Sequence, residues 1–390
     1  MNVSFWIAGL VVCAGHAKLL AIAENYVHGF ALGRPLLQRI RAVHNVLLFG
    51  IPAWALLSCG SLGFQRTSVA WWLELSVGWQ LWMAWGGMGA VVLALSAVRY
   101  WTYHPPACQS AYQSRVIDIQ ARVNESLVGT GRARWLALLP WNEQFTLEVN
   151  EKTYHLPRLP AAWDGLSIVH FSDLHLRGSV TRRYFEEVMA EAVELRGDIV
   201  AFTGDLLDHP SCLEWVPSTL GRLSAPLGCY FVLGNHDWYL PVVNEVRELL
   251  RSHGWTDLAG RVMELNRDGA RLILAGTELP WMGEAPPVSG VRPSVSDTFS
   301  ILLSHGPDQI DWARKHNIEL MLAGHTHGGQ IRLPILGPVY SPSRYSCRYA
   351  SGVFWRSPTL MHVTRGISGR EPIRYRCRPE LTRLVLRVDG

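Results

Sequence analysis

Leu166-Ser167-Ile168-Val169-His170-Phe171 is a short apolar run that ends in Ser172-Asp173-Leu174-His175. It reads as a buried strand delivering polar side chains at its carboxyl end. The pattern recurs. Asp198-Ile199-Val200-Ala201-Phe202-Thr203 runs into Gly204-Asp205-Leu206-Leu207-Asp208, and Cys229-Tyr230-Phe231-Val232-Leu233 into Gly234-Asn235-His236-Asp237. Phe299-Ser300-Ile301-Leu302-Leu303 runs into Ser304-His305, and Ile318-Glu319-Leu320-Met321-Leu322 into Gly324-His325-Thr326-His327-Gly328-Gly329 after Ala323. Helical patterns are expected between them at 181–195, with Phe185, Val188, Met189 and Ala192 on one face, and at 212–223, 241–253 and 308–316. Alternating strands and helices define an α/β domain. Polar clusters at the carboxyl ends of its strands point to one shared site.

The residue types in those clusters are those of a metal centre. Asp173 and His175 lie two apart, as do His325 and His327, and in extended geometry each pair projects to one side. Gly324, Gly328 and Gly329 let the backbone turn tightly around ions. Asp205 carries two oxygens with which to bridge two ions, and Asn235 offers a neutral amide oxygen. Mixed Asp, Asn and His donors suit Mn²⁺, Zn²⁺ or Fe rather than copper(I) or an iron–sulfur cluster.

In order, Asp173-x-His175, Gly204-Asp205-x-x-Asp208, Gly234-Asn235-His236-Asp237, His305 and Gly324-His325-x-His327 resemble the five motifs of the calcineurin-like metallophosphoesterases. The resemblance covers about residues 150–390, including Gly328-Gly329-Gln330-Ile331, and extends to the membrane-anchored bacterial branch of that superfamily. It implies a four-layer α/β/β/α sandwich, two facing mixed sheets flanked by helices. It also implies two divalent ions, one held by Asp173, His175, Asp205 and His327, the other by Asp205, Asn235, His305 and His325. A hydroxide bridging them would attack the phosphoester. His236 would not be a ligand but would donate to the phosphate or protonate the leaving group, with Asp208 orienting it. One departure matters. Asp208 is followed by His209-Pro210, where protein Ser/Thr phosphatases of the superfamily continue with Arg-Gly, which counts against that branch.

Other side chains read more plainly. His209 is expected to be a loop histidine and His170 a hydrogen-bonded core residue, while His253, His316 and His362 have no nearby motif. Arg344, Arg348, Arg365 and Arg370 are candidates for meeting substrate anions, and Trp281 is a candidate stacking group in a loop at the site mouth.

The first quarter has a different composition. Residues 1–100 carry Lys18, Arg34, Arg39, Arg41, Arg66 and Arg99 against Glu24 and Glu74, a net of four that equals the excess of the whole chain. A basic excess confined to an apolar region reads as membrane topology, and no nucleic-acid partner is expected. Residues 46–65 and 75–98 lack charge, and residues 1–17, continued by 19–23, are interrupted only by Lys18. Each is long enough to cross a bilayer at about 1.5 Å per residue. The first lacks the basic residues of a cleavable signal ahead of its apolar core. Trp71, Trp72 and Trp101 suit interfacial belts, and Gly86-Gly87-Met88-Gly89-Ala90 allows close helix approach. Without paired intramembrane charges a transporter is disfavoured. Arg34, Arg39 and Arg41 in the first loop, against Arg66 in the second, place the C-terminal bulk in the cytoplasm.

The expected organisation is a transmembrane region of about three helices over 1–104, a connecting segment over 105–150 and a phosphoesterase domain over 151–390. In the connecting segment 132–139 is basic then apolar, fitting either a membrane-interface piece or a short packed helix, and Asn150-Glu151 is expected to turn between two short strands. The seven cysteines form no C-x-x-C pair, which disfavours a disulfide framework or zinc ribbon. The expected function is a phosphohydrolase of the bacterial inner membrane acting on a lipid-linked or envelope phosphodiester. The alternatives are a pyrophosphatase of UDP-diacylglucosamine-type lipid A precursors, or a catalytically dead membrane interaction protein. The intact ligand set disfavours the last.

Overall fold

Charge-poor sequence at the N-terminus and alternating β-branched runs beyond it produce two units in the computed structural model, which describes residues 3–59, 75–131, 133–288 and 297–389. The first unit comprises Met1–His104 with Leu333–Ser346; the second comprises Pro105–Arg332 with Cys347–Gly390.

In the first unit, α1 (Val3–Val27), α2 (Arg34–Asn45), α3 (Ile51–Cys59) and α4 (Val77–Trp101) are the long helices. A π-turn at Val46–Gly50 joins α2 to α3. Pro52 cannot donate to the carbonyl four residues earlier, and the widened turn absorbs the loss. Among the described residues, three helical stretches are long and apolar enough to cross a membrane: Trp6–Val27, Arg34–Ser58 and Val77–Trp101. The second therefore starts twelve residues earlier than the uncharged run at 46–65 suggests. Arg34, Arg39 and Arg41 lie on a helix, not in a loop, and Arg41 Nε is 3.3 Å from Glu24 Oε1 of α1. Arg66, Trp71, Trp72 and Glu74 lie outside the described residues.

Glycine sets the contact between α1 and α4. A Cβ built on Gly89 would be 2.0 Å from the Gly15 carbonyl oxygen, and one on Gly15 would be 1.8 Å from that of Gly86. These obstacles are backbone, so neither can yield without the helices separating. Gly89→Val is therefore expected to lower stability by about 1–3 kcal/mol, the usual cost of overpacking. Thermal denaturation in detergent would show this, and a melting temperature equal to wild type would refute the contact.

The second unit holds two mixed sheets. The strands, numbered along the whole chain, are β1 (Gln109–Asp118), β2 (Thr146–Leu156), β3 (Ser167–Phe171), β4 (Ile199–Thr203), β5 (Cys229–Val232), β6 (Trp255–Asp257), β7 (Val262–Arg267), β8 (Ala270–Thr277), β9 (Thr298–Ser304), β10 (Leu320–Ala323), β11 (Arg332–Leu333), β12 (Gly337–Pro338), β13 (Gly352–Arg356), β14 (Thr359–Val363) and β15 (Glu380–Val388); β11 and β12 belong to neither mixed sheet, and β12 lies in the first unit. One sheet runs β1-β2-β15-β3-β4-β5-β6, the other β13-β14-β10-β9-β8-β7. The strands β3 to β6 are parallel, as are β8, β9, β10 and β14.

Period-two alternation divides the core. Ile168, Ala201, Tyr230, Val232 and Leu384 of the first sheet meet Leu272, Leu274, Ile301, Leu303 and Leu322 of the second. The opposite face of the first sheet, with Val169, Phe171, Val200, Phe202 and Phe231, packs on the helix α5 (Arg182–Glu194) through Phe185, Val188, Met189 and Ala192. These layers make the α/β/β/α sandwich.

Local departures have physical causes. Residues 212–223 do not form one helix but two 3₁₀ turns, Pro210–Trp215 and Leu220–Arg222, because Pro217 interrupts the ladder. Asn150-Glu151 does not turn. β2 passes straight through, paired on both sides, and Asn150 donates to Glu380 Oε1 at 2.7 Å. Residues 105–150 contribute β1 and the start of β2 to the second unit. Arg134–Leu138 forms a 3₁₀ turn held by Asn142, which donates to the carbonyls of Leu136 and Pro372.

Candidate metal centre

The parallel strands β3, β4, β5, β9 and β10 all end at one edge of the sandwich, and their carboxyl ends deliver the polar clusters. The side chains converge through loop geometry, not through strand alternation. Asp173, His175, Asp205, His325 and His327 have φ values of 58°, 47°, 55°, 71° and 50°, all left-handed. Non-glycine residues adopt this region at an energetic cost and mostly where surrounding structure imposes it. Here backbone bonds impose it: Asp173 N–H donates to Gly204 O at 2.9 Å and His175 N–H to Asp205 O at 3.0 Å. Close approach requires glycine beside them. A Cβ on Gly234 would stand 2.1 Å from Asp205 Oδ1, and one on Gly324 would stand 1.8 Å from Ser172 Oγ.

Three groups result. Asp173, His175, Asp205 and His327 bring their donor atoms within 4.8 Å of one another, as do Asp205, His305 and His325, and as do His175, Asp208 and His236. Asp205 belongs to the first two, with Oδ2 at 3.5 Å from His175 Nε2 and Oδ1 at 3.4 Å from His305 Nε2. Asn235 joins the second group, its Oδ1 at 3.2 Å from His305 Nε2. All nine residues singled out in sequence therefore lie together.

Two observations test whether this chemistry fits cations. Asp205 Oδ2 and His325 Nε2 are buried without any hydrogen-bond partner. Such atoms are costly unless something else satisfies them. His175 Nε2 and His327 Nε2 also face each other at 3.3 Å, two nitrogens converging where a cation would accept both lone pairs. Buried carboxylates with neutral imidazoles form a donor set suited to divalent ions, and the residues fit.

The same carboxylates make a negative field strong enough to hold protons on two of the rings, protons that a bound cation would displace. Burial works against charge on His175, but Asp208, Asp205 and Asp173 outweigh it and push the imidazole up to about 9. His305 is likewise pushed up to about 9 by Asp205 and Asp173 against burial. Burial drives His327 down to about 4, and burial together with His305 drives His325 well below its usual value. Asp205 is held well below the carboxylate range by the surrounding histidines despite its burial.

Asp208 links the third group. Its Oδ1 lies 2.5 Å from His236 Nδ1 and 3.2 Å from His175 Nδ1. His236 keeps some exposure, whereas Asp173, Asp205 and His305 are completely buried. His209 accepts from Ser211 N–H at the start of a 3₁₀ turn, outside these groups. Trp281 is a wall and not a rim: it is buried, with its ring 5.3 Å from that of His305 and 4.8 Å from that of His325. Arg365 is not available to a substrate, being paired with Glu148 and Glu380.

Supporting residues stand behind the ligands. Asp237 closes the Gly234 turn by accepting from Gly234, Leu206 and Leu207 N–H. Lys152 Nζ donates to Glu380 Oε1 at 2.9 Å and to His362 Nε2 at 3.2 Å. Because lysine only donates, the proton directions follow. His362 Nδ1–H donates to His170 Nδ1 at 2.9 Å, and His170 Nε2–H to Thr203 Oγ1 at 3.0 Å. His305 Nδ1 then donates to the Thr203 carbonyl at 2.7 Å, which leaves Nε2 as its acceptor nitrogen, 3.0 Å from His325 Nδ1.

Burial holds His170 down to about 3, and burial with Lys152 holds His362 well below its usual value. Both are neutral when folded and protonate on unfolding in mild acid. The unfolded chain therefore binds more protons, and stability is expected to fall as pH drops from about 6.5 towards about 3. Melting temperatures of wild type and His170→Asn across that window would check this. Equal slopes in the two proteins would count against it.

The family model for calcineurin-like phosphoesterases matches residues 166–329. The metallophosphoesterase YkuE of Bacillus subtilis (strain 168) is 33% identical, over 66% of this chain and 90% of its own length. The phosphodiesterase YaeI of Escherichia coli (strain K12) is 30% identical, over 56% and 81% respectively. The UDP-2,3-diacylglucosamine pyrophosphatase LpxG of Chlamydia trachomatis is 27% identical, over 60% and 88%. The chain belongs to the calcineurin-like metallophosphoesterase family, and it is a hydrolase of phosphoester bonds.

Proposed function

We propose that this chain is a membrane-anchored, two-metal phosphodiesterase whose substrate is a lipid-linked or envelope phosphodiester. The observation that carries the proposal is Asp205, one buried carboxylate shared by two donor groups with an unpartnered oxygen. Asp173, His175, Asp205 and His327 would hold one ion, and Asp205, Asn235, His305 and His325 the other. When bound, two divalent ions attract phosphate and lower the pKa of water held between them. The identity of the metal, Mn²⁺, Zn²⁺ or Fe, follows from loading and not from the donor set.

The chain supplies the proton. With His236 Nδ1 bound to Asp208, the other ring nitrogen, Nε2, is the atom presented to a leaving oxygen. Asp208 stabilises the charged ring, which holds a proton at Nε2 and gives it up as the ester bond breaks. Asp208 itself stays ionised, because His236 and His175 outweigh its burial.

A second reading draws on the similarity to LpxG: cleavage of the pyrophosphate of a nucleotide-linked lipid precursor. Hydrolysis measured with metal-loaded, detergent-purified protein separates the two. A lipid or aryl phosphodiester turned over faster than a nucleotide-diphospho-lipid supports the proposal, and the reverse order replaces it.

The cytoplasm is the compartment we propose for the C-terminal bulk. The support is the cluster Arg34, Arg39 and Arg41 at the start of α2, with Arg99 in the last turn of α4. Asp389→Cys, on a background lacking native cysteine, is expected to be shielded from an impermeant thiol reagent in intact cells. Labelling before lysis would place this domain outside.

A further inference from the structure

Leu333–Ser346 interrupts the phosphoesterase sequence and clusters with the membrane helices. Asn25, near the end of α1 and fully buried, spends its carboxamide on this segment. Its Nδ2 donates to Ser346 Oγ at 2.9 Å and to Val339 O at 3.4 Å, and its Oδ1 accepts from Ser341 N–H at 2.9 Å. At the end of α4, Trp101 Nε1 donates to Ile335 O at 2.6 Å. Gly337, with φ +68°, lies on the Tyr100 ring, where a Cβ would come within 2.7 Å. The segment thus closes over the C-terminal ends of two spanning helices.

What it turns outward is apolar. Leu333 is 42% exposed and Ile335 71%, with Pro334 exposed between them. Tyr340 of the same segment and Trp101, which bonds to Ile335, are also exposed. Exposed large apolar groups in a contiguous patch mark an interaction surface. An apolar tip bordered by Trp and Tyr, at the ends of spanning helices, has the composition of the water–lipid boundary.

We propose that Leu333–Ser346 is an interfacial membrane element whose occupant is the headgroup and upper acyl layer of the bilayer that the helices cross. The surface is continuous with those helix ends, which is what selects lipid over a protein partner. The proposal depends on the helices spanning the membrane and not on the substrate.

The test uses the full chain in vesicles of phosphatidylethanolamine and phosphatidylglycerol. Cys13, Cys59, Cys108 and Cys347 are replaced by serine, while the buried Cys212, Cys229 and Cys377 are kept. A nitrobenzoxadiazole label is placed on Ile335→Cys and, as a control, on Glu248→Cys, whose side chain is exposed on the helix Val243–Ser252. Each variant is required to melt as its parent does; Leu333→Cys replaces Ile335→Cys if that variant does not. Blue-shifted emission at 335, quenched several-fold by shallow doxyl-labelled lipid while the label at 248 is unaffected, is the expected result. Water-like emission at 335 with no quenching by lipid overturns the proposal.

Discussion

Asp205→Ala is expected to abolish hydrolysis and metal binding together. Its carboxylate is the one group common to both donor sets, and one of its oxygens is buried without a hydrogen bond. Removing it takes a ligand from each ion and leaves His175 Nε2 and His305 Nε2 without the charge that faces them at 3.5 and 3.4 Å. The loss of activity should exceed about 10²-fold, the upper range for residues that merely support a ligand from behind. Metal content measured on the same preparation separates this from a folding defect, provided that far-ultraviolet circular dichroism is unchanged. Near-normal turnover with two ions per chain would remove Asp205 from the centre of the account.

His236→Gln is expected to leave the metals in place and to lower turnover by about 10²–10⁴-fold. The ring is held through Nδ1 by Asp208 and belongs to neither of the groups that share Asp205. Glutamine keeps a hydrogen-bonding head but cannot cycle a proton near neutral pH. The deficit should therefore shrink as the leaving group becomes more acidic and needs no proton. Equal losses across a series of aryl leaving groups would assign His236 to phosphate binding instead.

The strand ends were legible because burial on both faces writes an uninterrupted apolar run, and because Asp and His directly after such a run have few structural uses. The nine candidate residues could be picked out at such positions. Their geometry could not. Two-residue spacing suggested extended backbone at Asp173–His175 and His325–His327, but the chain turns left-handed there, held by bonds such as Asp173 N–H to Gly204 O. That information belongs to the neighbouring strand and not to the local sequence. The same holds for β15, which inserts between β2 and β3 from the far end of the chain. Only that insertion brings Glu380 to Lys152, and so creates the Lys152–His362–His170–Thr203 chain from residues that look unrelated. At the membrane, absence of charge marked the spans but missed the start of the second. Arg41 of α2 is tolerated there because its partner, Glu24, comes from another helix.

A pair of divalent ions around Asp205 shows first in the metal stoichiometry of the protein. Detergent-purified wild-type protein, loaded with Mn²⁺ or Zn²⁺ and freed of excess, is analysed by inductively coupled plasma mass spectrometry beside hydrolysis of an aryl phosphodiester. About two ions per chain are expected, lost on chelation together with activity and restored together on reloading. Undiminished hydrolysis by chelated protein containing no metal would contradict this.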